Sequence, residues 1–398
     1  MKPSTPFSIQ DLKTQEEYLE ILNEQGDLMI GVPKEAGQEE KRVCLTPDAV
    51  AALVANNHQV IIASGAGEEA SFSDEEYRKA GARITTFKKE VFECPLVLKI
   101  APPNAEEITL LKPNSTIISV VQKKTQTKDY FKALEQKKIT AIGFEYITDQ
   151  DGSFPILKSL SQIGGTAAVH IAAELMSASH KGKGLLFGNM SGIPPTEVVV
   201  FGAGTAGSYA AEAALNFGAS VKVFDPSVSK LRSLQNRLKT PIYTSTLQPK
   251  NILKALRRCD VAIGALKGKK NTPIVVPEEV VSHMKKGAVI IDMSIDHGGC
   301  FETSELTSHQ NPTIEKYGVL HYGVPNIPAR YPKTASVSIS NICLPYLLQI
   351  AEKGGLENAL KYDTGLRNGL YLYRGIMTNA NLGEHFEIPF NDINFLIF

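Results

Sequence analysis

A chain of 398 residues is long enough for two or three domains, each burying a core of its own. Lys plus Arg number 42 and Asp plus Glu also 42, so no global field gathers nucleic acid or holds the chain on an anionic membrane, and neither partner is expected. Apolar residues at 43% and charged residues at 21% place the chain among ordinary soluble globular proteins.

The opening stretch, MKPSTPFSIQDLKTQEEYLEILNEQ, lacks the apolar core of a signal peptide and carries too many acids for a transit peptide, which predicts a cytoplasmic protein. Leu12, Leu19 and Leu22 predict a short amphipathic helix over 9–25, within an N-terminal extension spanning 1–28. From there, strand-like runs at 28–32, 59–63, 96–100, 116–121 and 140–144 alternate with helical patterns at 47–56, 73–80, 104–111 and 128–138. Such alternation predicts an α/β unit on a largely parallel sheet. Cys44, Cys94, Cys259, Cys300 and Cys343 are scattered with no C-x-x-C pair, so neither a disulfide framework nor a metal site is expected.

A long helix over 160–179 and a loop rich in Gly and Pro then mark a domain junction. A second alternating series follows, with strands at 198–202, 220–224, 260–264, 288–292 and 319–323. A helix over 334–352 comes next, and the tail beyond it, with no strand partner of its own, is expected to return and pack on the first domain. The weakly polar stretch 198–219 is no bilayer span, because Gly202, Gly204, Gly207, Glu212 and Gly218 interrupt it.

That stretch carries the strongest motif. Glu197-Val-Val-Val-Phe-Gly-Ala-Gly-Thr-Ala-Gly207 is a strand ending in a G-x-G-x-x-G turn that opens a helix, and the next strand ends in Asp225. Gly202 permits the tight turn, Gly204 lets backbone amides approach a pyrophosphate, and Gly207 allows close helix packing. With Thr205 and Ala206 at the helix N-terminus, this is a dinucleotide cradle. The Asp225 carboxylate accepts from ribose hydroxyls and repels a 2′-phosphate, which predicts NAD rather than NADP.

Further motifs surround it: Gly31-Val-Pro-Lys-Glu35, Arg42-Val-Cys-Leu-Thr-Pro47, Gly65-Ala-Gly67, Leu98-Lys99, Met284-Lys-Lys-Gly-Ala-Val-Ile-Ile-Asp292, Asp296-His-Gly-Gly-Cys-Phe-Glu302 and Val324-Pro-Asn326-Ile-Pro. Together they resemble the alanine dehydrogenase and nicotinamide nucleotide transhydrogenase alpha-subunit family, nearer to its alanine dehydrogenase branch. The resemblance implies two Rossmann-like doubly wound domains: an NAD domain at 159–332 inserted into a discontinuous substrate domain at 29–158 and 333–398. It also implies a homohexamer that binds a small amino acid or 2-oxo acid, and NAD-dependent oxidative deamination of L-alanine, or a related amino acid, to pyruvate and ammonia.

By the same resemblance Arg42 holds the substrate carboxylate, a task suited to a planar guanidinium, although a solvated charge beside Glu39, Glu40 and Lys41 is the alternative. Asp296 assists proton movement near the nicotinamide, Asn326 meets the carboxamide, Ser161 touches the cofactor or caps a helix, and Lys230 reaches the adenosine ribose or is solvated. Glu145 hydrogen-bonds an amine or pairs with a lysine. Two positions depart from the family pattern. Ala101 stands where the family has a second lysine, and Gln122 where it has a histidine, so neither can polarise a carbonyl or move a proton. Lys99, Lys123 or Lys124 could restore the cation, and His297 the titratable imidazole. The departures leave open a transhydrogenase-alpha-like NAD(H)-binding subunit, opposed by Gln150-Asp-Gly-Ser-Phe-Pro155 in place of that branch's loop, or a catalytically silent NAD-binding protein.

Overall fold

A computed structural model describes residues 26–37, 40–180, 182–268 and 271–397; the helix expected over 9–25 lies outside them. Contacts divide the chain into two compact units, Met1–Leu157 with Pro332–Phe398, and Lys158–Tyr331. In chain order the first unit supplies β1 (Met29–Val32), α1 (Pro47–Ala55), β2 (Gln59–Ala63), β3 (Arg83–Thr85), β4 (Leu96–Leu98), α2 (Ala105–Leu110), β5 (Thr116–Ser119) and β6 (Thr140–Gly143). The division falls inside α3 (Pro155–Leu175), which starts earlier than the sequence pattern suggests because Pro155 is well suited to a first helical position. The second unit holds β7 (Glu197–Phe201), α4 (Thr205–Asn216), β8 (Ser220–Phe224), α5 (Val228–Leu238), β9 (Tyr243–Ser245), β10 (Val261–Gly264), β11 (Val289–Asp292), β12 (Thr313–Lys316) and β13 (Val319–Tyr322). The chain rejoins the first unit through α6 (Pro332–Glu352), β14 (Leu370–Tyr373) and β15 (Ile376–Met377).

The first unit's sheet runs β3-β2-β1-β4-β5-β6-β14-β15, and the second's runs β9-β8-β7-β10-β11-β13-β12. Each contains six parallel strands in the doubly wound order 3-2-1-4-5-6, extended by antiparallel strands at one edge. Strands covered on both faces must be apolar throughout, and Val198, Val199, Val200 and Phe201 are all fully buried. The tail returns to the first unit and completes its sheet there. Leu370-Tyr-Leu-Tyr373 is buried along its whole length and pairs with β6, a partner that local pattern cannot reveal.

By length and composition α6 would suit a bilayer span, but it is a core helix. Ala335, Ile339, Cys343 and Leu347 are buried, and the hydroxyls of Ser336 and Ser340 accept from the backbone N–H groups of Val43 (2.9 Å) and Thr46 (3.0 Å). Segment 42–46 belongs to no sheet, so these serines satisfy donors that otherwise lie buried and unpaired. Tyr77 adds a third tie, donating to the Leu45 carbonyl at 2.7 Å. Replacing Ser336 and Ser340 together by alanine should lower stability by roughly 2–4 kcal/mol, about 1–2 kcal/mol for each orphaned amide, as measured by denaturant unfolding.

Candidate functional site

In the first unit β1, β4, β5 and β6 are parallel, so their carboxyl ends share one edge of the sheet. Glu35 follows β1, Lys99 and Ala101 follow β4, Gln122 follows β5 and Glu145 follows β6. The order reverses between β1 and β4, the switch point where ligands of open α/β sheets bind.

Arg42 is only 4% exposed, so it is not the solvated charge that its acidic neighbours allowed. Its Nε donates to Glu40 Oε1 at 2.7 Å and its Nη2 to Glu40 Oε2 at 2.6 Å, a two-point pair between buried side chains. Both line a pocket of about 210 Å³ together with Glu35.

Lys99 is displaced from the role expected of it. Its side chain is 1% exposed and turned inward, with Nζ 3.2 Å from Glu35 and 3.1 Å from Glu107. The two carboxylates outweigh the burial that opposes its charge, so its pKa is raised. One ammonium for two carboxylates leaves a surplus acid, and burial lifts Glu35 to about 7 against the pull of Lys99. Glu35 also accepts from the Ile100 N–H at 2.6 Å and the Ala101 N–H at 3.4 Å, pinning the end of β4. The sequence reading passed over Glu107, although Asn104-x-x-Glu107 is a legible capping box and the structure forms it at the start of α2.

Gln122 is exposed and its backbone sits at φ 51°, a left-handed conformation uncommon for a residue with a side chain. Glu145 explains how it is held: Oε1 accepts from the Val121 N–H at 2.8 Å and the Gln122 N–H at 3.3 Å. Its Oε2 is buried with no hydrogen-bond partner, and burial raises its pKa. Glu145 therefore braces the end of β5, and no lysine pairs with it among the described residues.

In the second unit the glycine turn is sterically obligatory. Gly202 has φ 112°, and a Cβ there would meet the Ala265 carbonyl oxygen at 2.5 Å; a Cβ on Gly207 would meet the Gly202 oxygen at 1.8 Å. Gly204 caps α4 without a side-chain hydrogen bond, so the amides of Thr205 and Ala206 begin a helix whose N-terminal donors no side chain claims among the described residues. Asp225, 2% exposed, accepts from the Ala203 N–H (2.8 Å) and the Ser227 N–H (2.7 Å), which ties the end of β8 to the turn. These features fit a dinucleotide: a donor-rich helix end free of side chains, with a fixed carboxylate beside it.

Lys230 is exposed on α5, and Ser161 lies well inside α3, which removes the capping alternative for it. At the end of β11 the Asp292 carboxylate accepts from Ser294, Cys300 and Phe301, organising the loop that presents Asp296 at the surface. The Asn326 N–H points at Asp296, 3.3 and 3.4 Å from its two oxygens, and Asn326 too is left-handed, at φ 51°. His297, half-buried, follows Asp296 in a short turn whose carbonyl accepts from the Thr272 N–H at 2.9 Å. The structure thus brings Asp296 and Asn326 together, Asp225 to the glycine turn, and Arg42 to Glu35.

Residues 31–164 match the N-terminal domain of the alanine dehydrogenase/PNT family, and residues 168–380 its C-terminal domain. The chain belongs to the alanine dehydrogenase/PNT family. "Alanine dehydrogenase 2" of Staphylococcus aureus is 35% identical over 369 residues, covering 92% of this chain and 98% of the relative. A solved L-alanine dehydrogenase superposes with a TM-score of 0.85 at 33% identity, covering 90% of this chain and 99% of that one. A transhydrogenase from Sinorhizobium meliloti superposes with a TM-score of 0.76 at 22% identity, covering 89% and 99%, and shares the fold.

The raised pKa of Glu35 has a definite sign. Its protonated form is favoured in the folded chain, so its contribution to stability is full below about 4.5 and is lost as pH rises through about 7. Denaturant unfolding between pH 4.5 and 8 should show a decline in the parent chain that is flattened in Glu35→Gln, which carries no titrating group there.

Proposed function

We propose that this member of the alanine dehydrogenase/PNT family oxidises L-alanine, or a related small amino acid, with NAD and water to pyruvate, ammonium, NADH and a proton, as a cytoplasmic homohexamer. In this reading Lys158–Tyr331 is the NAD domain and the other unit the substrate domain. The observation that carries it is the turn at Gly202 and Gly207, too tight for any Cβ, opening onto the uncapped end of α4 with Asp225 alongside. The relatives named alanine dehydrogenase support alanine as the substrate of this reading.

NAD, when bound, accepts the hydride; the remaining tasks fall to side chains. Asp225 accepts from the ribose hydroxyls and disfavours a 2′-phosphate. Asn326 meets the nicotinamide carboxamide. Arg42 holds the substrate carboxylate from a buried position where charge-assisted hydrogen bonds are strong. Asp296, exposed at its loop, orients the attacking water or the amine, and His297 beside it moves the proton that Gln122 cannot.

One set of observations favours a second reading, a catalytically silent NAD-binding protein: Ala101 and Gln122 carry no titratable group, and Lys99 is consumed in a buried ion cluster. NADH formation from L-alanine and a panel of other amino acids separates the two. Turnover is expected, with Arg42→Ala lowering kcat/KM on the order of 10²-fold through the loss of charge-assisted hydrogen bonds. NADH binding with no turnover of any amino acid would establish the silent protein.

A further inference from the structure

The Arg42–Glu40 pair is only partly used. Among the described residues Glu40 Oε1 accepts two bonds, from the Arg42 N–H at 3.1 Å and Nε at 2.7 Å, whereas Oε2 accepts one, from Nη2 at 2.6 Å. A carboxylate oxygen has room for two acceptor contacts, and the guanidinium still has the N–H groups of Nη1 and one on Nη2. The unused donor edge of Arg42 and the unused lone pair of Glu40 therefore lie side by side, one positive and one negative.

The surrounding pocket repeats that balance. Its charged lining is Lys34, Lys41 and Arg42 against Glu35, Glu40 and Glu69. Lys41 is paired with Glu69 at 3.2 Å, while Lys34 has no hydrogen bond or ion pair among the described residues. A lining of three cations and three carboxyls gives a bare anion little net attraction, but it complements a ligand that carries both charges on adjacent atoms.

We infer that the Glu40–Arg42 pair reads its substrate as a zwitterion: the free edge of Arg42 takes the α-carboxylate, and Glu40 Oε2 accepts from the α-ammonium. This rests on the proposed amino-acid reading and deepens it. Glu40 is then the residue that separates a 2-amino acid from a plain carboxylate of the same size, a task for which a lone arginine has no means. Each charge on the ligand then meets an opposite charge on the protein, so neither ion is desolvated without a partner.

The test is calorimetric titration of the full chain, with NADH present, by L-alanine and by propionate, which differs only in lacking the amine. Binding of L-alanine at least tenfold tighter than propionate is expected in the parent. In Glu40→Gln that preference should vanish, with propionate held as well as before or better. Glu40→Asp, which keeps the charge, should restore part of it; a residue needed only for folding would weaken both ligands alike. Equal affinity for L-alanine and propionate in the parent overturns the role of Glu40 while leaving Arg42 as a carboxylate holder, and needs no variant to fold. Binding of neither ligand overturns this inference and the amino-acid reading together.

Discussion

Two buried hydrogen bonds, from the N–H groups of Val43 and Thr46 to the hydroxyls of Ser336 and Ser340, hold the first unit's site in place. Segment 42–46 leaves the sheet and cannot satisfy its own donors, so a helix from the far end of the chain does so. The register is specific: serines four apart on one helix face meet amides three apart on an extended segment. Arg42, at the head of that segment, is therefore set by residues almost three hundred positions away. Without them its guanidinium has a charge partner but no fixed backbone.

The same unit shows two ways of burying a cation. Lys99 is held between Glu35 and Glu107 and does not itself line the pocket that Glu35 and Arg42 line; its cluster braces the end of β4. Arg42 has a single charge partner among the described residues and itself lines the pocket. The Lys99 ammonium divides a single charge between two buried carboxylates, whereas a planar guanidinium can satisfy one carboxylate along one edge and offer another edge to a ligand. That difference in shape makes Arg42, rather than Lys99, the group able to take a substrate anion.

The second unit depends on excluded volume rather than on charge. Gly202 and Gly207 are placed where backbone oxygens leave no room for a Cβ, and this closeness brings the first turn of α4 against the end of β7. Asp225 then locks the turn by accepting from Ala203. A carboxylate used in this way is already oriented before any ribose arrives, so less ordering remains for binding.

Sequence alone determined whatever rests on local pattern: the buried strands of both sheets, the glycine turn, the Asp225 position, and the departures at Ala101 and Gln122. These follow from hydrophobic periodicity and from residue types that only one backbone geometry tolerates. It did not reveal β3, β9 and β12, whose residues form no apolar run, or β14, whose apolar run acquires meaning only beside β6. Nor could spacing tell that Lys99 faces inward, that Ser161 lies mid-helix, or that Glu40 grips Arg42. Those outcomes were decided by tertiary structure, because the direction of a charged side chain is set by which counter-ions the fold brings within hydrogen-bond reach, and for Lys99 they come from the end of β1 and from α2.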